Sequence, residues 1–338
     1  MRKRTAARAA VWGRLGIPAV LVAVVAVVSS FLASSVRTVT LPALSRAATG
    51  VRVAGRLVEG RDAADLEQRL AALARRLPQQ PVDARLDHST GAVPALDGVQ
   101  VDVAATVTAV LQASSGADVP LHYRRLPAAI TLWDLPPAPI WQGNPAKNQV
   151  ALTINVAWGN EYLPDLLAVL KSRRIRASFF LVGGWAEKFP DLARRIADAG
   201  HEIASHGYST TDYAGLAPDR LRRQVVDAEE AIVSATGQRP TLFSPHKGEW
   251  TPELLALLRE EEYLPIHWTV DTVDWRNPAP QEMVARVLSK VGSGSIILLH
   301  PTAASAAGLG PLLDGIRAKG LEVVDVSTLL DPDPLAGL

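Results

Sequence analysis

The strongest fold signal in the sequence is Val150-Ala-Leu-Thr-Ile-Asn-Val156, a mostly apolar run without the alternation of a half-exposed strand. Such a run is typical of a strand that is buried on both faces of a parallel sheet. A helical pattern follows at residues 163–173, and a second buried strand is predicted at Ala177-Ser-Phe-Phe-Leu-Val182. This order of strand, helix and strand predicts a parallel sheet covered by helices.

The alternation of strands and helices continues toward the C-terminus. About seven such units predict an α/β fold in which residues 150–330 form a distorted (β/α)7-type barrel. In such barrels the active groove lies at the carboxyl ends of the strands, so the polar residues there are the first candidates for chemistry. Helical patterns separate the further strands that we predict, which are residues 202–205, 241–243, 266–269, 295–299 and 322–325.

The composition of the chain limits its functional class. Its 338 residues exceed the usual length of one domain, so we expect two folded units and an attachment segment. The net charge is only +1 and the basic residues concentrate at the extreme N-terminus, so no nucleic-acid partner is expected. The chain has no cysteine, which excludes disulfides, thiol catalysis and zinc sites built from thiolates.

Residues 1–34 combine a basic start with the apolar run Ile17–Ala33. This run approaches the length that spans a bilayer, and its basic flank should stay in the cytoplasm. We therefore expect a single-pass cell-membrane protein whose membrane partner is this N-terminal helix and whose folded domains lie outside the cytoplasm. A cleaved signal peptide and a secreted protein are the alternative, because Ala33, Ser34 and Ser35 are small enough for a processing site.

Residues 50–132 are predicted to form a small α+β module, and residues 133–149 a proline-rich linker. The first helix of the module has Leu66, Leu70, Leu73 and Leu77 on one stripe, and a second helix is predicted at about residues 104–113. The stretch from Gly98 to Val107 weakly resembles peptidoglycan-binding modules of exported proteins. The module is therefore a candidate for cell-wall binding, with a plain spacer as the alternative.

Polar side chains follow most of the predicted strands. A barrel would bring them together at one edge, where the imidazoles and carboxylates could do general acid and base work. A carboxylate next to a histidine would fix its tautomer. The residues concerned are Asn155, His206, Ser244, His246, Asp271, Asp274 and His300.

Six segments resemble, in order and spacing, the successive motifs of carbohydrate esterase family 4, the NodB-homology polysaccharide deacetylases. The segment around Asn155 is most similar to the sporulation-associated YlxY-type branch of that family. The resemblance covers about 180 residues, and the segments are Ala151–Gly159, Ala177–Gly183, Gly200–Ser209, Phe243–Gly248, Trp268–Trp275 and Gly294–Thr302.

The resemblance implies hydrolysis of the acetamide of N-acetylated sugars in peptidoglycan or chitin-like polymers, so cell-wall glycan is the expected partner. An aspartate base, a zinc or other divalent metal held by an aspartate and two histidines, and a separate histidine acid would do the chemistry. Here Asn155 replaces the base and Val156 the metal-binding aspartate. His206 matches the first histidine ligand, whereas Thr210 replaces the second. One ligand of three survives, so no metal is expected unless the chain is active through other ligands.

The acid half of the motif set is retained. Asp271 and Asp274 match the fourth motif, and His300 matches the histidine of the fifth, so these three are the candidate catalytic residues. An Asp–His pair can also persist as a structural element after catalysis is lost. The expected substrate groove adds Trp275, Asn155, Trp158, Ser244, which stands where the family has an arginine, and His246.

The resemblance, together with the replaced metal ligands, implies a cell-envelope protein that engages N-acetylated glycan with little conventional metal-dependent deacetylation. The first alternative is an active amide hydrolase with a rearranged metal site drawn from His206, His246, Glu161 or Asp271, or a metal-free route through His300 and Asp274. The second alternative is a non-enzymatic scaffold of the envelope. A role in sporulation rests on the family resemblance.

Overall fold

The computed structural model describes residues 46–89 and 91–336. The predicted anchor or signal segment at residues 1–34 lies outside the described residues. Within the described ranges, no helix is long and apolar enough to cross a membrane.

The N-terminal part of the described chain is an α+β module with its own apolar core. Leu66 and Leu70 are buried on one face of the first helix, as their spacing predicts, whereas Leu73 is half-buried and Leu77 lies beyond the end of the helix. Asp62 caps the helix by accepting a hydrogen bond from the backbone N–H of Asp65. The core is completed by Val107 and Val110 of the second helix. The elements are β1 (Arg52–Val53), β2 (Arg56–Leu57), α1 (Ala63–Ala74), β3 (Arg85–Asp87), β4 (Gly91–Val93), β5 (Gly98–Val101), α2 (Val103–Gln112), β6 (Asp118–Val119) and β7 (Tyr123–Leu126).

The C-terminal part is a parallel sheet whose strands alternate with helices. Its elements are β8 (Gln149–Val156), α3 (Leu163–Arg173), β9 (Ser178–Leu181), α4 (Gly183–Lys188), α5 (Pro190–Asp198), β10 (Glu202–Ser205), α6 (Pro218–Thr236), β11 (Leu242–Phe243), α7 (Pro252–Glu260), β12 (Leu264–Pro265), β13 (Val270–Asp271), α8 (Pro280–Leu288), β14 (Ile296–Leu299), α9 (Ala303–Ala318), β15 (Glu322–Val324) and α10 (Val326–Leu330). Every residue of β8 is buried, which explains its continuous apolar sequence.

Seven strands follow one path, in the order β12, β11, β10, β9, β8, β14 and β13, and β15 pairs with the first half of β8. All of these pairs are parallel; Thr153 of β8, for example, lies opposite Ser178 of β9. The predicted parallel α/β architecture is confirmed. The prediction of a closed barrel is wrong. The strands β12 and β13 stand at opposite ends of the path and do not pair with each other, so the described strands form a curled, open sheet.

The prediction of a strand at residues 266–269 is wrong. The structure has two short strands instead, β12 before this range and β13 after it. Ile266 makes a single parallel bridge with Ile140, and the backbone N–H of His267 donates to the carbonyl of Ile140. Ile266 still donates its backbone N–H to the carbonyl of Phe243, whereas Thr269 donates to the carbonyl of Ile296, so the chain passes here from the β11 side to the β14 side of the sheet and no continuous strand forms.

The segment predicted as a linker, residues 133–149, packs against the sheet. Ile140 is buried at 1% exposure, and Lys147 is buried with its ammonium donating to the carbonyls of Thr328 and Asp331. These bonds join the segment to the end of α10. The proline-rich segment thus connects the module to the sheet and is itself packed against the sheet.

Candidate functional site

Asp274 and His300 form a closely bonded pair at the carboxyl edge of the sheet. Asp274 lies in a 3-10 turn after β13 and is fully buried, whereas His300 follows β14 and is partly exposed. The Nδ1–H of His300 donates to Oδ1 of Asp274 at 2.8 Å. Because Nδ1 is committed to the carboxylate, Nε2 is the ring nitrogen left for a ligand. The two residues meet as the sequence indicated, and their catalytic role stays a prediction.

The carboxylate of Asp271 bonds to the backbone of its own turn, whereas that of Asp274 bonds to His300. Oδ1 of Asp271 accepts a hydrogen bond from the backbone N–H of Val273 at 2.7 Å. Val273 has a positive φ of 58°, which is unusual for a β-branched residue. The Asp271 carboxylate therefore shapes the turn that carries Asp274, and its predicted direct part in catalysis stays a prediction.

His206, Ser244 and Asn155 meet on the floor between the strand ends. Nδ1 of His206 lies 2.6 Å from the carbonyl oxygen of Ser244, so this nitrogen carries the proton and donates. Nε2 of His206 is then an acceptor in the neutral ring, and it lies 3.5 Å from Nδ2 of Asn155. All three side chains are at least nine-tenths buried.

Burial keeps these imidazoles neutral. Removal from water lowers the pKa of His206 to about 3, which outweighs the opposing bond to the carbonyl of Ser244. Repulsion by His246 and His300 in their protonated forms lowers it further. Burial also lowers the pKa of His246, which lies in the turn after β11 with its ring centroid 5.9 Å from that of His206.

The positions that would hold a metal do not form a site. Val156 is fully buried in the apolar core, and Thr210 is exposed. Glu161 is exposed as well. Throughout the described ranges, no group of three or more histidines, aspartates or glutamates is arranged to hold a metal ion. Zinc needs three or four donors of this kind, so the residues present do not fit the metal that the resemblance implied.

Two exposed tryptophans are associated with the pair formed by Asp274 and His300, one through a ring contact with His300 and one as the chain neighbour of Asp274. Trp158 is 46% exposed, and its ring lies parallel to that of His300 with 5.9 Å between centroids. Trp275 is 51% exposed, and the guanidinium of Arg276 lies over one of its faces. Flat exposed rings of this kind offer apolar surface to a sugar ring. Trp158 lies beside His300 at the strand ends. The place of Trp275 in the groove, and the contact of either ring with substrate, stay predictions.

The sequence did not indicate two residues that support the site. The hydroxyl of Ser305 donates to Oδ2 of Asp274 from the first turn of α9. The sequence signal that could have identified it is a lone hydroxyl in an Ala- and Gly-rich segment, three residues after Thr302. Gly159 has a φ of +81°, and a Cβ there would lie 1.9 Å from the carbonyl oxygen of Pro301. The close contact between the backbones of Gly159 and Pro301 holds together the loops that carry Trp158 and His300.

Known proteins share this sequence and this fold. A family model described as polysaccharide deacetylase matches residues 142–266. The chain is 35% identical over 266 residues to the uncharacterized protein YlxY of Bacillus subtilis, which covers 79% of this chain and 83% of that protein. It is 33% identical over 188 residues to a peptidoglycan-N-acetylglucosamine deacetylase of Bacillus cereus, covering 54% and 68%. A crystal structure of a CE4 family pseudoenzyme from Bacillus anthracis matches with a TM-score of 0.72 and 34% identity, covering 79% of this chain and 95% of that one.

Proposed function

This chain belongs to the polysaccharide deacetylase family, and we propose that it binds cell-wall glycan with little or no metal-dependent deacetylation. The main support for the proposal is that two of the three positions that hold the metal in this family carry side chains that cannot bind it. Val156 is buried in the apolar core and Thr210 is exposed, which leaves His206 alone. A single buried imidazole does not hold zinc.

The retained part of the groove supports glycan binding. Trp158 exposes its ring beside His300, and Trp275 exposes its ring next to Asp274 in the chain. Exposed aromatic rings offer stacking surface to a sugar ring, and this favours a glycan-binding role over a scaffold. The related Bacillus cereus protein is a peptidoglycan-N-acetylglucosamine deacetylase, so peptidoglycan is the glycan that we propose for this chain.

We further propose that the folded domains work outside the cytoplasm. The support is the basic start and the apolar run at residues 17–33, which suit a single-pass anchor or, alternatively, the signal peptide of a secreted protein. An exported location matches a cell-wall ligand. Fractionation of cells, with detection of the chain in membrane, wall and medium, tests this location directly.

The experiment that tests the proposed function measures acetate release and binding on the same full-length protein. Peptidoglycan and N-acetylglucosamine oligomers are incubated with zinc, with cobalt or with a chelator, and the His300→Ala variant serves as the matched control. We expect no acetate above that control, together with retention of the protein on purified cell walls. Metal-dependent turnover that disappears in His300→Ala contradicts the proposal and indicates an active hydrolase. Absence of both turnover and wall binding indicates a scaffold.

A further inference from the structure

A cluster of basic side chains lies at the edge of the sheet opposite to the candidate groove. Helices α3, α8 and α9 each connect two parallel strands, so they run back along the sheet and end at its amino edge, whereas the groove residues stand at the carboxyl edge. The members of the cluster stand in the last turn of one of these helices or just beyond it. We call this set the basic face, and it consists of Lys171, Arg173, Arg174, Arg286, Lys290, Arg317 and Lys319.

The three helix ends adjoin one another. The guanidinium of Arg173 in α3 pairs with the carboxylate of Asp314 in α9 at 3.0 Å. Leu288 at the end of α8 packs against Gly315 of α9, where a Cβ would meet the leucine side chain. One surface therefore collects cations from three helices that lie far apart in the chain, which is why the sequence does not display them as a charge run.

The basic face carries more positive charge than its own contacts neutralise. Its side chains are exposed except that of Arg173, which is half-buried. Among the residues that the structure describes, Arg173 is the one member that forms an ion pair. Its seven cations stand against the carboxylates of Asp314 and Glu322, although the whole chain has a net charge of only +1. The partial negative charge of three helix ends offsets only part of this excess, so the face attracts anions.

A cavity of about 160 Å³ lies within the basic face. Arg173, Arg174 and Arg317 line it, and Ile175 and Leu321 add half-buried apolar surface. In the part of the chain that the structure describes, neither Arg174 nor Arg317 forms an ion pair. A guanidinium binds phosphate through two parallel hydrogen bonds. A phosphate group that carries an apolar extension is the chemistry that suits this cavity.

We propose that the basic face docks on the phosphate headgroups of an anionic membrane, with one headgroup phosphate in the cavity between Arg174 and Arg317. The inference rests on the proposed location outside the cytoplasm and on the apolar run at residues 17–33. Residues 34–45 separate that run from the first described residue, and a chain of this length spans at most about 45 Å. A membrane that holds the run therefore stays within reach of the folded domains.

Docking through the basic face sets the orientation of the groove. Strand β8 has eight residues and spans about 25 Å from the amino edge to the carboxyl edge. Because the basic face and the groove lie at opposite edges, contact of the basic face with the bilayer turns the groove away from the membrane. The groove then faces the wall glycan that we propose as its ligand.

The test uses the absence of cysteine from the chain, which makes one introduced cysteine the only site for a thiol-reactive fluorophore. Ala318→Cys places the label in the basic face, and Ala217→Cys places it at the opposite edge, just before α6; both alanines are exposed. The full-length chain is mixed with vesicles that carry a quencher on a lipid headgroup, made either from phosphatidylcholine or with phosphatidylglycerol added. We expect strong quenching of the label at position 318 and weak quenching at position 217, only in the anionic vesicles. The difference should disappear in 1 M salt, where the screening length falls to about 3 Å.

A pair of charge variants tests the residues themselves. Arg174→Gln combined with Arg317→Gln should lower the docking equilibrium constant about 10- to 30-fold, since each cation near an anionic surface contributes roughly 1 kcal/mol. The matched control combines Arg220→Gln with Arg223→Gln. These two exposed arginines stand at the start of α6, so the same change of net charge at the carboxyl edge should leave the quenching at position 318 unchanged.

The outcomes that overturn the inference are distinguishable from failure of the proposed location. A chain that floats with both kinds of vesicle but shows equal quenching at the two positions overturns the inference and leaves an anchored location standing. A chain that floats with neither kind overturns the inference and contradicts the anchor. Quenching that is kept without Arg174 and Arg317, or is lost equally in the control pair, also overturns it. Retention on poly(glycerol phosphate) without quenching on vesicles assigns the face to a wall polymer and overturns the choice of a membrane.

Discussion

His300 is bound to Asp274 twice, once through its ring and once through its backbone. Nδ1–H of the imidazole donates to Oδ1 at 2.8 Å, and the backbone N–H donates to Oδ2 at 2.6 Å. The hydroxyl of Ser305 is a third donor, also to Oδ2. One buried carboxylate therefore fixes the end of β14, the orientation of the imidazole and the first turn of α9. Such a carboxylate has structural value whether or not the imidazole takes part in chemistry.

Replacement of Asp274 by asparagine tests that structural value. The amide keeps the size of the side chain but places an N–H₂ group opposite at least one of the three donors that the carboxylate accepts from. We expect the free energy of unfolding to fall by about 2–4 kcal/mol, because hydrogen bonds to a buried charged group are lost or opposed. Urea unfolding followed by circular dichroism measures the change. Asp212→Asn is the control, since it removes a carboxylate from an exposed ion pair with Lys247 and should leave the unfolding midpoint almost unchanged. Equal shifts in the two variants would contradict the assigned role of Asp274.

Trp158→Ala tests the aromatic wall of the groove. Trp158 is 46% exposed beside His300, so its removal should weaken glycan binding roughly three- to tenfold, in line with about 0.5–1.5 kcal/mol for an aromatic contact. The chain offers a matched control in Trp133, which is also 46% exposed but lies against Arg259, near the junction of module and sheet. Trp133→Ala should leave glycan affinity unchanged. Equal losses at both positions would place the binding surface somewhere other than the strand ends.

Gly159→Ala tests whether the loops of the site depend on close backbone contact. Gly159 and Gly60 both have positive φ values, +81° and +69°, but only Gly159 is crowded, by the carbonyl oxygen of Pro301. A Cβ at Gly60 would meet nothing within 4 Å, so Gly60→Ala should cost only the conformational strain of about 1–2 kcal/mol. Gly159→Ala should cost clearly more and should also weaken glycan binding, because Trp158 and Pro301 must separate. Thermal unfolding and glycan binding are measured for both variants. Equal losses of stability in the two would show that the contact between Gly159 and Pro301 does not stabilise the site.

The sequence predicted the sheet well because its strands are buried on both faces. A continuous apolar run as short as Val150 to Val156 is typical of a buried strand, and the structure buries every residue of it. The prediction failed at residues 266–269, where the pairing partner is Ile140. That partner lies in a proline-rich segment with no periodicity, so local sequence carries no sign of the bridge.

The candidate site was predicted as a set of residues but not as a network. Strand ends identified Asn155, His206 and His300, because parallel strands bring their carboxyl ends to one edge. The different positions of Asp271 and Asp274 depend on the positive φ of Val273, a conformation that a β-branched residue rarely adopts. The tautomer of His206 depends on a backbone carbonyl, which every residue possesses. Contacts made by the backbone cannot be predicted from the types of the residues that make them.

His267 should make the stability of the fold depend on pH. Its ring is 8% exposed and lies between Trp141 and Trp268, with centroid distances of 3.9 and 4.1 Å, and burial lowers its pKa to about 4 from an ordinary value of 6.5. Between these two values the unfolded chain binds the proton and the folded chain does not. The stabilisation is therefore fully present above about pH 6.5 and is lost as the pH falls toward 4, by up to about 1.4 kcal/mol per pH unit.

Removal of this imidazole should flatten the pH profile. We expect the difference in unfolding free energy between the natural chain and His267→Phe to change across that window and to stay constant above it. Subtraction of the two profiles cancels the contributions of His201 and His206, whose pKa values burial lowers in the same direction. Trp250→Phe is the matched control. It removes the indole N–H that donates to Nδ1 of His267 at 3.3 Å but keeps the imidazole buried. Since burial causes the shift, Trp250→Phe should keep the slope of the natural chain, and a slope as flat as that of His267→Phe would assign the shift to the hydrogen bond instead.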